Sequence, residues 1–203
     1  MGFYSEYVVP FAIHLVMKNK EAMRWRQLIV PRAQGRVLEI GIGSGLNLPF
    51  YSVEARELCG VEPSRRLIGM ARHAASCAAP RVEFLNGTAE MLPYEDASFD
   101  TVVSTWTLCS IPQVDRALAE VRRVLKPGGR FLFIEHGCAR DAGVRRWQDR
   151  LNPAWRAFSG GCNLNRDIVA LLKAAGFEVA SLESGYLLKG PRTHTFTYAG
   201  EAA

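Results

Sequence analysis

Glu39, Gly41, Gly43 and Gly45 stand at alternate positions in EIGIGSG, where the apolar run RVLEI (36–40) opens into a loop. Glycine loses more backbone freedom on folding than any other residue, so three within five positions point to backbone closing on a ligand rather than to packing. A dinucleotide-binding loop spaces its glycines as G-x-G-x-x-G. Here the third glycine comes one position early, and Leu46 stands where it would be. A carboxylate two residues ahead of the first glycine repels a pyrophosphate and attracts a cation, so the expected ligand carries an amine or another positive group. Glu62 ends the next apolar run, ELCGVE (57–62). A carboxylate there can accept both hydroxyls of a ribose; alone it would more often be a solvated charge. The stretch NGTAEMLPY (86–94) reads as a turn that presents backbone N–H and C=O groups to a purine edge.

Groups able to move a proton are few. His136 closes the strand-like run RFLFIEH (130–136) and is the candidate base, with a structural role as its alternative. His14 approaches the site if the N-terminal helix folds over it. His73 reads as solvated or structural, and His194 carries no catalytic signal. Tyr4, Tyr51, Trp106, Trp147 and Trp155 are the aromatics offered to an apolar acceptor pocket, each with core or lid packing as its alternative.

The elements that must position these groups alternate. Strands are expected over 36–40, 57–62, 81–86, 99–106 and 130–136, with two more in FEVASLE (177–183) and THTFTYAG (193–200). Helices are expected over 64–77 with Ser64 as N-cap, 114–125 stopped by KPGG, and 166–176 ending at Gly176. Apolar strands separated by helices imply an α/β fold: a Rossmann-like, doubly wound, seven-stranded, mostly parallel sheet. The last two strands have no helix between them and should form an antiparallel edge. Ligands of such sheets bind beyond the carboxyl ends of the strands, where strand order reverses.

Ahead of the sheet, YVVPFAIHLVM (7–17) is too short to cross a bilayer, which takes about 20 residues. It also lacks the basic start and cleavage site of a secretory signal. Val8, Phe11, Ala12, Leu15 and Val16 share one helical face, expected to pack on the domain or, alternatively, to rest on a membrane or close over a ligand. Residues 1–30 thus form an N-terminal helical segment before a domain of 31–203, with an insertion at about 137–165. That insertion is rich in arginine and aromatics; because it leaves the sheet at the ligand edge, it is expected to be a substrate lid rather than a packed helical excursion.

A chain of 203 residues with 48% hydrophobic and 22% charged residues supports one folded domain with a full core and excludes disorder. A net charge of +5 is too modest to assign a nucleic-acid partner, and no appended binding motif or NPPY-type base-methylation motif follows the fourth strand. The five cysteines, at 59, 77, 109, 138 and 162, are odd in number and contain no CxxC pair. They are expected to be reduced thiols of a cytoplasmic protein, with no disulfide framework and no metal site.

Taken in order from about Arg36 to Phe133, EIGIGSG, VEPS, GTAEMLP, FDTVVSTWTLCSI and LKPGGRF resemble the motifs of the class I S-adenosylmethionine-dependent methyltransferases. The resemblance implies S-adenosylmethionine as cofactor and S-adenosylhomocysteine as product. It implies Glu39 and the backbone of Gly41, Gly43 and Gly45 at the aminocarboxypropyl group, and Glu62 with Pro63 at the ribose. Thr88, Ala89 and Glu90 fall around adenine, and Asn47 and Thr105, carried by the first and fourth motifs, complete the cofactor set. Many relatives place Asp where Thr88 stands, which puts Glu90 forward for the adenine amino group.

Beyond the fifth strand, EHG…LNPAWRAFSGGCNLNRD is similar to the small-molecule thiol methyltransferases. The VLEIGIGSGLNLPFY opening also resembles bacterial proteins similar to phosphatidylethanolamine N-methyltransferases. The implied reaction is methyl transfer to a small acceptor, a thiol or sulfide first and a phospholipid or other amine second. A thiol needs only to become thiolate, whereas an amine must be neutral. The expected partners are that small molecule and, through the N-terminal helix, the inner membrane surface, with Tyr51, Trp106, Trp147, Trp155 and His14 on the acceptor side.

Overall fold

The computed structural model describes residues 9–75 and 81–203. Tyr4, Val8 and Cys77 lie outside them. Seven strands form one sheet: β1 (Gly35–Ile40), β2 (Ala55–Glu62), β3 (Val82–Asn86), β4 (Phe99–Thr105), β5 (Leu125–His136), β6 (Val179–Tyr186) and β7 (Phe196–Ala202), in the spatial order β3-β2-β1-β4-β5-β7-β6. The β3-β2-β1-β4-β5 block is parallel, and β7 runs antiparallel to both β5 and β6. This is the expected sheet with its antiparallel pair at one edge. The chain winds from β1 out to β3, then returns to place β4 on the other side of β1, so strand order reverses at the carboxyl ends of β1 and β4. That reversal opens the crevice in which such folds take ligands.

The strands are apolar on both faces, and alternate residues serve opposite layers. Leu38, Val102, Phe131 and Phe133 face one core with Ala117, Leu118 and Val121 of α4 (Val114–Val124) and Ile168 and Leu172 of α6 (Ile168–Ala174). Val37, Val103, Leu132 and Ile134 face a second core that includes Ile29 of α2 (Lys20–Ile29). α3 (Arg65–Ala75) packs on β2 and β3; the Ser64 hydroxyl accepts from the Leu67 N–H at 3.3 Å and caps it.

Several boundaries differ from the sequence expectation for local reasons. β5 starts at Leu125 rather than at 130: Phe99 pairs with Leu125 and Thr101 with Arg130, so residues 126–129, with Gly128 at φ +75°, loop out of the ladder. Residues 193–195 belong to a short helix, α7 (Arg192–Thr195), and the last strand begins at Phe196. Among the described residues ahead of the sheet there are two α-helices, α1 (Val9–Met17) and α2, separated by Asn19, whose side chain accepts from the Ala22 N–H at 2.8 Å and caps α2. The face of α1 expected to pack inward is turned outward. Phe11 (54% exposed), Leu15 and Val16 meet solvent with Ala12, while Pro10 is buried and His14 and Met17 are half-buried. Pro10, His14 and Met17 are the residues of α1 that turn toward the body, where His14 has a polar partner, and Ile13 stays exposed at the cavity's rim. Among the described residues, no helix is long and apolar enough to cross a membrane.

Candidate active site

A cavity of about 450 Å³ opens at the strand-order reversal. This is within the range of small-ligand sites. Its floor is the loop after β1. Gly41 and Gly43 sit there at φ +65° and +56°, conformations that a residue with a Cβ rarely adopts. A Cβ on Gly41 would lie 2.3 Å from the Thr107 Oγ1, whereas one on Gly43 would meet only the Gly41 carbonyl oxygen at 3.8 Å. The first glycine is therefore demanded by the neighbouring turn, and the second keeps the cavity side of the loop open. Gly45 does different work from that expected. It lines no part of the cavity, and a Cβ there would meet Leu48 at 2.8 Å and Ala71 of α3 at 3.1 Å, so it serves helix packing.

Glu39, Asn47, Glu62, Pro63, Thr88, Ala89, Glu90 and Thr105 all line this cavity. Glu62 accepts from the Gly43 N–H at 3.2 Å and the Ser64 N–H at 2.9 Å, which fixes its carboxylate at the mouth of the glycine loop. Glu90 sits across the cavity, accepting from the Gln113 N–H at 3.4 Å. Glu39 is buried; it accepts from the Asn47 amide at 2.7 Å and from the Tyr51 hydroxyl at 2.7 Å. Asn47 also donates to the Thr105 hydroxyl at 3.0 Å and accepts from the Arg26 Nε at 2.9 Å. Burial raises the Glu39 carboxyl to about 7 against the pull of these bonds and of Arg26, and it brings the Arg26 guanidinium down to about 10. Burial raises Glu62 as well. Two desolvated carboxyls facing one cavity invite a cation.

Arg26 is the residue that sequence reading missed. It is buried, bonds to the Met17 carbonyl at 2.9 Å and lies 4.7 Å over the Trp106 ring. The signal was legible: Ala22, Arg26 and Ile29 are the buried stripe of α2, with an arginine in an apolar slot. Above Arg26, α1 covers the cavity with Ile13, His14 and Met17, and the His14 Nδ1 lies 2.7 Å from the Ser44 hydroxyl. Burial lowers the His14 imidazole, with help from Lys18.

Trp106 lines the cavity at φ +51°, in the left-handed region, directly after β4. A bulky residue held there marks a constrained site. Its Nε1 is buried and has no hydrogen-bond partner among the described residues, a donor left for a ligand acceptor. Glu135, also unmentioned by sequence reasoning as a positioning group, shapes this turn. It accepts from the Ser104 hydroxyl at 2.6 Å and the Thr107 N–H at 3.1 Å, and burial raises it to about 7.

Four expectations about the acceptor side are corrected by the geometry. Trp147 is 55% exposed and Trp155 37% exposed, and neither lines the cavity. Both ride on α5 (Ala142–Phe158), which is anchored through its polar side. Gln148 accepts from the Ala139 N–H and donates to the Gly137 and Thr193 carbonyls, and Asn152 accepts from the Leu164 N–H. The stripe at 147, 151, 155 and 158 is left outside. Of the expected lid, only Gly160 reaches the cavity. Tyr51 is buried behind Glu39 as its hydrogen-bond donor and does not touch the cavity. His136 is buried with its Nδ1 3.4 Å from the Cys162 Sγ and does not line the cavity, so it is not placed as a base there. His194 packs edge-on against Trp155, and His73 is exposed on α3.

Residues 38–133 match the family described as the methyltransferase domain. The human protein named thiol S-methyltransferase TMT1A is 31% identical over 97% of this chain and 84% of its own length. This chain belongs to the class I S-adenosylmethionine-dependent methyltransferases. A ubiquinone/menaquinone biosynthesis C-methyltransferase of Bartonella tribocorum is 30% identical over 73% of this chain, which spans 56% of that protein. Among solved structures, an S-adenosylmethionine-dependent methyltransferase of Thermotoga maritima superposes with a TM-score of 0.68 at 26% identity, covering 98% of this chain and 96% of that one.

The cofactor of these methyltransferases fits the residues present. Its ammonium and sulfonium charges suit the desolvated Glu39, its ribose the fixed carboxylate of Glu62, and its carboxylate a donor such as the unpartnered Trp106 Nε1.

Proposed function

We propose that this methyltransferase transfers the methyl group to a small, fairly apolar thiol or sulfide, with S-adenosylhomocysteine as the second product. The near-full-length likeness to the human thiol S-methyltransferase carries this reading. The sulfonium supplies a methyl group that is already activated. The chain has to align the acceptor behind it and keep water out. Glu39, Glu62 and the backbone of Gly41 and Gly43 hold the cofactor. Trp106, Ile13, Met17, Ile111 and Pro112 supply apolar wall to the cavity, which suits an apolar acceptor. Arg26 and His14 are the cavity's basic side chains among the described residues. The fixed charge of Arg26 favours a thiolate over a thiol, so no dedicated base is required.

A second reading draws on the outward face of α1. Phe11, Leu15 and Val16, flanked by Lys18, Lys20 and Arg24, offer a surface for peripheral contact with the inner face of a membrane, where a phospholipid amine would be the acceptor. The likeness to a C-methyltransferase adds ring carbon as a third acceptor class. One experiment separates the three: labelled S-adenosylmethionine is offered with sulfide, an alkyl thiol, phosphatidylethanolamine vesicles and a prenylated quinol. Label on sulfur is the expected outcome. Label only on the vesicles or only on the quinol would replace the thiol reading.

A further inference from the structure

Three side chains far apart in sequence meet behind the acceptor wall. Cys109 follows β4, His136 ends β5, and Cys162 follows α5. Their ligand atoms lie within 4.8 Å of one another, and the His136 Nδ1 is 3.4 Å from the Cys162 Sγ. Cys109 and His136 are buried, and Cys162 is half-buried. The neighbours Ser110 and Gly160 line the cavity, so the cluster backs directly onto it.

We propose that Cys109, His136 and Cys162 form a binding site for a soft divalent ion of the zinc class, which pins the α5 insertion to the ends of β4 and β5. The donor set is the borderline-soft combination such ions prefer. Bond lengths of about 2.3 Å to sulfur and 2.1 Å to nitrogen place these atoms roughly 3.6 Å apart on a tetrahedron. The measured 3.4 Å between Nδ1 and Sγ is already near that edge. Protein groups fix the ligands without help from an ion: the Asn163 N–H and side-chain amide both donate to the Cys109 carbonyl at 2.8 Å, and Arg166 bonds to the carbonyls of Leu108 and Ile111. Among the described residues, the Cys109 thiol has only weak partners besides this cluster, the Trp106 carbonyl at 3.6 Å and the Ser110 hydroxyl at 3.5 Å, so its sulfur is left with capacity for an ion. Three protein ligands leave one position of a four-coordinate ion for water or another small donor. The site is invisible to a spacing rule because its ligands come from three separate segments rather than a CxxC pair.

The test uses the reduced, chelator-treated full chain titrated with cobalt(II) chloride, a spectroscopic stand-in for zinc. The expected result is uptake of one equivalent with a thiolate-to-cobalt charge-transfer band, displaced by zinc chloride. The C109S/C162S variant should lose the band and bind at least about a hundredfold more weakly, whereas C59S/C138S should keep both. In the unaltered protein, zinc should protect Cys109 and Cys162 from alkylation, as read by peptide mass spectrometry, so the outcome does not depend on the variant folding. Absence of the band from reduced protein, or unchanged alkylation of Cys109 and Cys162 with zinc, overturns the proposal.

Discussion

The two helical segments that flank the sheet's carboxyl edge, α1–α2 and α5, look alike in sequence: each mixes apolar and aromatic residues with arginines. They end in opposite relations to the site. From α1 and α2, Ile13, His14, Met17 and Arg26 are committed to the cavity. From α5, Gln148 and Asn152 are committed to backbone groups of the loops beneath, and the apolar stripe remains outside. Hydrophobic periodicity assigns the inner face only where apolar contact decides it. In both segments a few buried polar bonds decide instead: His14 to Ser44, Arg26 to Asn47, and Gln148 to the Gly137 and Ala139 backbone. An unmet buried polar group costs about 1–3 kcal/mol, comparable with burying a whole aliphatic side chain, so such a bond can turn a helix over.

That contrast can be broken at several points. Arg26→Ala should have the largest effect. It leaves Asn47 and Glu39 without their cation, and a loss of about 3 kcal/mol in folding stability is expected from urea unfolding, with cofactor affinity falling alongside. The next effect is in pH. The Glu39 carboxyl, raised by burial to about 7, is largely protonated below that value, and a cationic cofactor needs it ionised. Affinity for S-adenosylmethionine should therefore fall about tenfold between pH 8 and pH 6 by calorimetry, and Glu39→Gln should flatten that profile. Stability without cofactor runs the other way: the folded form holds the proton more tightly than the unfolded chain. The contribution of Glu39 is thus fully present below its ordinary value near 4.5 and is lost as pH rises through about 7.

His14→Ala sharpens the claim that α1 covers the cavity. Losing its bond to Ser44 should weaken cofactor binding roughly fivefold, equivalent to about 1 kcal/mol. Smallest of all should be Trp147→Ala combined with Trp155→Ala. Their expected effect is within about 0.5 kcal/mol on cofactor binding, as for exposed positions away from a site. A loss in the tryptophan pair matching that of Arg26→Ala would restore α5 as the lid and undo the comparison.

The sheet was legible almost throughout, because strand residues buried on both faces leave unbroken apolar runs, and the glycine loop betrayed the ligand edge. Glu39, Glu62 and Thr88 line one cavity, as their places at strand ends and the loops beyond them suggest, because the sheet fixes those positions. What was not legible depends on contacts between segments. Tyr51 and His136 look like free functional groups in sequence, and only the fold shows that Glu39 and Cys162 already occupy them. Glu135 needed the turn at 105–108 before its carboxylate had a purpose. Arg26 differs from these: its place in the apolar stripe with Ala22 and Ile29 was readable, but exposed basic neighbours at 18, 20 and 24 masked it.

The most direct measurement is hydrogen exchange of the full chain with and without S-adenosylhomocysteine. Slowed exchange at residues 10–17 of α1 and 39–47 of the glycine loop, with α5 unchanged, is the expected result. Protection of α5 with α1 unaffected would contradict the placement of the cofactor beneath the N-terminal helices.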